Sequence, residues 1–248
     1  YFFIIYSWRT VWQGIAILII LFLPFIVLNT IKSINFDSRE TSNKVDLKKS
    51  KIKSWKRIEV IKDFRFYILS LNMLAMPWLA TGIFVYQSFI TDSKMWSIYT
   101  VPKAFMVYSI TSIATLFLTG FLVDKFTGRK LILFMNIPLL LAMLVLFQFK
   151  HEMFAYIFLG LIGISNGLAN ILGSSTWAEI YGVRYIGSIK ALTTAFMVFS
   201  TAFGTGIFGF LIDSGFTIEN IAFIGVAYIV ISLFLLIFFQ KTIKPITL

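Results

Sequence analysis

Long apolar runs alternate with short polar loops from one end of this chain to the other. Seven windows reach the length of a membrane crossing: Thr10–Leu28, Phe66–Ile90, Ile98–Val123, Lys130–Phe149, Met153–Ser174, Ser188–Ile212 and Ile218–Phe239. A helix needs about 20 mainly apolar residues to cross a hydrocarbon layer about 30 Å thick. Each peptide group in that layer must find its partner within the chain, so the runs are expected to be helices. The fold class expected is an all-α polytopic membrane protein with seven transmembrane helices.

The windows differ in polarity. The first, fourth and seventh are almost uniformly apolar, as in Ile15–Ile26, Leu131–Phe147 (with one Asn136) and Ile221–Phe239. The second, third, fifth and sixth carry polar and small residues at helical spacing. A polar group facing lipid costs several kcal/mol, so these four are expected to line a cavity or each other, with three outer helices around them. In the second window Asn72, Ala75, Leu79, Gly82 and Tyr86 share a face, with Gln87 beside it and Pro77 able to bend the helix. In the third, Tyr108, Ser112, Thr115 and Thr119 form one stripe. The fifth pairs Gly163 with Gly167, a spacing that admits a second backbone, next to Asn166 and Asn170. The sixth offers Ser200 and Gly204 beside Thr201 and Thr205. Cavity candidates are thus Asn72, Tyr86, Tyr108, Ser112, Thr115, Asn166, Asn170 and Ser200.

Charge orients the chain. Of 22 Lys and Arg residues, 18 fall on one set of alternate loops and 4 on the other. Positive loops mark the cytoplasmic side, which predicts a cytoplasmic C-terminus in a plasma or bacterial inner membrane. The net charge of +11 does not indicate nucleic acid, because the aromatics sit inside apolar spans rather than on a basic soluble face. The chain has no cysteine, so it can form neither a disulfide nor a thiolate metal site. Mean hydropathy is +0.87, and hydrophobic residues reach 58% against about 45–50% in soluble domains.

Three segments follow: residues 1–29, a single span; residues 30–65, a basic loop; and residues 66–248, a six-helix bundle with a short tail. Lys32–Lys62 is too polar to fold alone and reads as a solvated linker. Its Lys48-Lys49-Ser50-Lys51-Ile52-Lys53 and Trp55-Lys56-Arg57 clusters also suit anionic headgroups. Tyr1 opens on an apolar run without a signal-peptide cleavage pattern, so further helices are expected upstream. Within the six, Gly120-Phe121-Leu122-Val123-Asp124 closes the third window and Gly209-Phe210-Leu211-Ile212-Asp213 the sixth. By the charge pattern they end on opposite sides. That is the mark of an inverted repeat of three-helix units, a construction common among secondary transporters.

The loop Gly120-x-Leu122-x-Asp124-Lys125-x-x-Gly128-Arg129-Lys130 carries the most specific pattern. Gly120 would admit a neighbouring helix, and Gly128 a tight turn. Asp124, at a helix C-terminus, would be relieved by a cation or by another helix's N-terminus. This spacing resembles the loop signature of the major facilitator superfamily. The resemblance implies that residues 66–248 are the C-terminal half of a twelve-helix transporter, and that Thr10–Leu28 is its sixth helix. The missing N-terminal half would then be a partner of the bundle. Trp8-Arg9-x-x-Trp12 is similar to the segment before helix six in monocarboxylate-porter-like and oxalate/formate-exchanger-like members. Glu179-x-Tyr181-Gly182-x-Arg184-x-x-Gly187 looks like the family's loop between helices ten and eleven. It implies that Asp124 docks near Gly187-Ser188. Monocarboxylate porters carry an arginine in helix eight, where this chain has Ser112, Thr115 and Leu116. The conformational-switch set is Gly120, Asp124, Gly128, Arg129, Lys130, Glu179 and Arg184.

The function expected is secondary or facilitative transport of a small solute, an organic anion among the options, by alternating access across the lipid bilayer. No enzyme, cofactor, metal or nucleic-acid role is expected. All eleven acidic residues lie in loops or at span ends, which leaves an intramembrane hydrolase without nucleophile, base or ligands. No filter-like loop points to a channel. Lys103 and Lys190 are expected to snorkel to headgroups, and His151 to lie exposed. The rival class is a non-transporting receptor or scaffold with the same fold.

Overall fold

The computed structural model describes residues 8–33 and 53–246. Seven of its helices are long and apolar enough to cross a membrane, and no strand occurs among the described residues. This is an all-α polytopic membrane protein.

Two compact units divide the chain, Tyr1–Ser50 and Lys51–Leu248. The first is described by one helix, α1 (Trp8–Ser33), with Pro24 inside it. The Lys48-Lys49-Ser50-Lys51-Ile52 part of the basic cluster lies outside the described residues.

The second unit opens with a short helix, α2 (Arg57–Ile61). Asp63 then caps α3 (Phe64–Val85), its carboxylate accepting from the Arg65 N–H. The second apolar window does not run unbroken to Ile90, because Tyr86 leaves helical geometry and a separate α4 (Gln87–Ser93) follows. Next come α5 (Thr100–Phe126) and α6 (Gly128–Leu131). A 3-10 turn (Ile132–Phe134) leads to α7 (Ile137–Gln148). The fourth window is therefore broken inside its apolar run. Pro138, in the first turn of α7, lacks the N–H that a continuous helix would need, and Asn136 is turned inward, 0% exposed. The remaining helices are α8 (Met153–Tyr181), α9 (Ile186–Asp213) and α10 (Ile218–Phe238).

Packing centres on α3 and α8, the two most buried spans. Helix α8 packs on α5 and α7, while α3 packs on α9 and α10, and α7 also meets α10. Exchange the set α3, α5, α7 with the set α8, α9, α10 and the two α8 contacts map onto the two α3 contacts, while the α7–α10 contact maps onto itself. The first helix of each triplet crosses over to the second and third helices of the other.

Residues 53–63, expected within a solvated linker, are folded onto the bundle. The Trp55 N–H donates to the Tyr181 carbonyl (3.0 Å) and the Lys53 N–H to the Ile246 carbonyl (2.8 Å). Below them Arg65 and Asp63 form an ion pair at 2.7 Å, with side chains only 8% and 7% exposed. The Tyr181 hydroxyl donates to the same carboxylate at 3.1 Å, and Arg65 Nη1 donates to the Lys244 carbonyl at 2.7 Å. A buried ion pair is tolerable only when its remaining donors and acceptors are occupied. Tyr181 and the tail carbonyl supply those partners.

Candidate functional site

Three helices enclose a cavity of about 430 Å³ in the second unit: α3, α8 and α9, with Tyr108 from α5 and Met135 from the turn before α7. One end is aromatic. Phe84 meets Tyr108 edge-on at 5.4 Å, and Phe105 backs both at 5.2 and 6.0 Å. From there the cavity extends towards Trp177 and the start of α9, where Lys190 stands exposed.

The α8 wall is polar because Asn166 and Asn170 lie one turn apart on it. Asn166 Nδ2 donates to Ser112 Oγ at 2.9 Å, and Asn170 Nδ2 donates to the Asn166 carbonyl, also at 2.9 Å. Ser112 thus orients Asn166 from behind, and Asn170, at the end of the chain, is exposed to the cavity. The α3 wall comes from Ser70, Leu74, Pro77, Thr81 and Phe84. Pro77 cannot donate to the Met73 carbonyl. The turn before it is held instead by neighbours. Tyr228 donates to the Leu71 carbonyl (2.7 Å), Asn136 to that of Asn72 (2.6 Å) and Ser200 to that of Leu74 (3.2 Å).

Of the eight cavity candidates, the structure brings Tyr108, Asn166 and Asn170 to the cavity, with Ser112 behind. Asn72 lies away from it. It is 0% exposed, on the packing face with Ala75, Leu79 and Gly82, and its amide atoms have no partner among the described residues. Tyr86 stacks on Phe208 at 6.3 Å between ring centroids. Thr115 abuts Gly167, and Ser200 bonds helix to helix. The small residues Ala75 and Gly82 on the Asn72 face allow close packing, so that face turns inward. The opposite face, Ser70–Pro77–Thr81, looks into the cavity. Those three positions, seven and four apart, were the readable signal.

Lys190 was the larger omission. Read as a snorkelling side chain, it lines the cavity on the same face of α9 as Thr193, Thr194 and Met197. Its spacing to them, three, four and seven residues, gave that face away.

The switch loop is arranged differently from expectation. Asp124 is exposed and makes no hydrogen bond or ion pair among the described residues, so it does not dock at Gly187-Ser188. Glu179 holds the loop instead. Its carboxylate accepts the Gly128 N–H at 2.6 Å and the Arg129 N–H at 3.0 Å, the acceptor pair a helix N-terminus favours. The left-handed turn falls on Thr127 (φ 70°) rather than on Gly128. Gly128 is needed for close approach, since a Cβ there would run into Ser175 Oγ. Gly120 has open space where a Cβ would stand, so no described helix uses the gap it leaves. Arg129 Nη1 reaches the Ile243 carbonyl at 3.4 Å, Lys130 is exposed, and Arg184 lies 5.5 Å over the Tyr185 ring.

The opposite end of the bundle has its own ties. Glu152 accepts from the Ser97 N–H (2.8 Å) and Thr100 Oγ1 (3.1 Å) at the start of α5. Lys94, whose side chain is 0% exposed, pairs with Glu219 at 2.8 Å.

The fold defines a polytopic helical membrane protein, with a cavity of small-molecule size open on one side between its helices. Comparison with family models, with characterised proteins and with solved structures returns no match for this chain.

Proposed function

We propose that the chain belongs to a secondary transporter of the major facilitator type, with residues 66–248 as its C-terminal half, moving a small solute by alternating access. The observation that carries this reading is the exchange of packing partners between the two helix triplets. That arrangement is what an inverted repeat produces, and transporter sites sit near the midplane at the repeat interface. The cavity lies between α3 and α8, the first helix of each triplet, and Pro77 lies inside α3 beside it. Asn170 and Tyr108 offer neutral hydrogen bonds to the solute. Glu179, rather than Asp124, carries the loop contact that would be made and broken between states. The basic end, with the tail, faces the cytoplasm of a plasma or bacterial inner membrane.

Flux into proteoliposomes containing the full-length protein tests the reading. Asn170→Ala is expected to raise the apparent KM about tenfold, since it removes a hydrogen bond to the solute, with the maximal rate largely kept. Glu179→Gln is expected to slow turnover with KM little changed. A protein that binds solute at this cavity yet shows no flux would be a receptor or scaffold, and transport would be wrong.

A further inference from the structure

Lys190 is the one charged side chain among the residues lining the cavity. No described carboxylate pairs with it; the ion pairs among described residues are Lys53–Glu59, Arg65–Asp63 and Lys94–Glu219. A lysine near a span end has headgroups within reach, and this one also lines the cavity, on the same face of α9 as Thr193 and Met197. The rest of the wall is neutral, made of amides, hydroxyls, aromatic rings and the thioethers of Met73, Met76, Met135 and Met197.

We propose that Lys190 makes this a site for amphipathic monoanions, an inference that rests on the transporter reading and names its solute class. The anionic group sits at Lys190, and the apolar body lies along the methionines towards Phe84. Three physical points select that occupant. Coulomb attraction strengthens as water is excluded from the cavity, so one wall cation favours one negative charge. A second negative charge would find no second cation on the wall, so dianions are disfavoured, and cations are repelled. Methionine is unbranched and polarisable, and it adapts to hydrocarbon bodies of different shape, so selection acts on charge more than on chain form. A volume near 430 Å³ falls within the range of small-molecule sites, about 300–1,000 Å³.

Isothermal titration of the full-length protein in nanodiscs tests this with probes of one length: hexanoate, hexanesulfonate, hexanamide, hexylammonium and adipate. Both monoanions are expected to bind about tenfold or more tighter than hexanamide, with adipate weaker than hexanoate and hexylammonium weakest. Lys190→Gln is expected to bring hexanoate down to the affinity of hexanamide, and Lys190→Arg to keep the preference for the anion. Equal binding of hexanoate and hexanamide, a preference that survives Lys190→Gln, or binding of none of the probes would overturn the proposal. Flux of neutral solutes without charge preference would overturn it and leave the transporter reading standing. Charge-selective binding without flux would do the reverse.

Discussion

Two helix seams that correspond under the exchange of triplets, α5 with α8 and α3 with α9, are built differently. On the first, a Cβ at Gly163 would strike the Tyr108 carbonyl and one at Gly167 would lie 2.7 Å from that of Ser112. The backbones thus touch at two successive turns, and Thr111 adds a bond of 3.0 Å to the Gly160 carbonyl. On the second, backbone meets backbone at one level, where Gly204 sits on the Trp78 carbonyl. On either side of it, side chains fill the gap: the Phe208 ring against Gly82 and the Tyr86 hydroxyl against Gly209 towards one end, and Phe66 against Phe196 towards the other. Two levels of backbone contact fix the angle between helices. One level, with rings above and below, leaves a pivot, and the cavity opens along this second seam. The lesson is that a symmetric fold divides labour, with one seam acting as a splint and its counterpart as a hinge.

Gly167→Leu should have the largest effect. Its side chain would meet the Ser112 carbonyl, Thr115 Cβ and the Leu116 nitrogen, all within 3 Å, and backbone cannot swing aside. A cost of about 3 kcal/mol or more should leave no monodisperse peak in size-exclusion chromatography; a folded variant would show that this seam yields. Gly204→Ala meets backbone at one level only, so a loss of about 1–2 kcal/mol is expected. It should slow flux more than it lowers the melting temperature, and unchanged flux would remove the hinge. Gly82→Ala presses on the Phe208 ring, Cγ included, and that ring is buried against Trp78 and Tyr86. The helix-propensity gain of about 0.5–1 kcal/mol offsets only part of the crowding, so a net loss of about 1 kcal/mol in thermal stability is expected. Smallest of all, Thr111→Val and Ser200→Ala each remove one bond to a facing carbonyl, about 0.6 kcal/mol apiece. Melting curves for the pair should therefore nearly coincide, and a wide gap would mean that one bond holds more than its own seam.

The spans were legible because hydrocarbon imposes a composition on whatever crosses it, and seven runs met that requirement without ambiguity. Faces were less legible. Asn72 and Asn170 are the same amide, yet Asn72 is buried against Asn136 and Asn170 is exposed to the cavity. The neighbours decide: Ala75 and Gly82 invite a second helix, while Pro77 and Thr81 do not. The stripe Tyr108–Ser112–Thr115 was read as one cavity surface, but the α8 glycines cover all of it except Tyr108. Least legible was the Asp63–Arg65–Tyr181 cluster. Its members come from a presumed linker and a distant helix end, 118 positions apart, and no periodicity connects them. Lys190 failed for a different reason. A lysine near a span end has an ordinary explanation in headgroups, and only the position of α3 shows that a cavity lies beside it.

Tail carbonyls at Ile243, Lys244 and Ile246 accept from Arg129, Arg65 and the Lys53 amide. Arg65 precedes the carbonyl it binds by 179 positions, so during synthesis the guanidinium waits for the ribosome to deliver its last partner. Asp63 neutralises it from the outset, Tyr181 arrives with α8, and the carbonyls of residues 243–246 follow only after α10. A variant cut before Ile243 would leave three donors without these acceptors. The segment after α10 thus stitches the two ends of the bundle together as its last step.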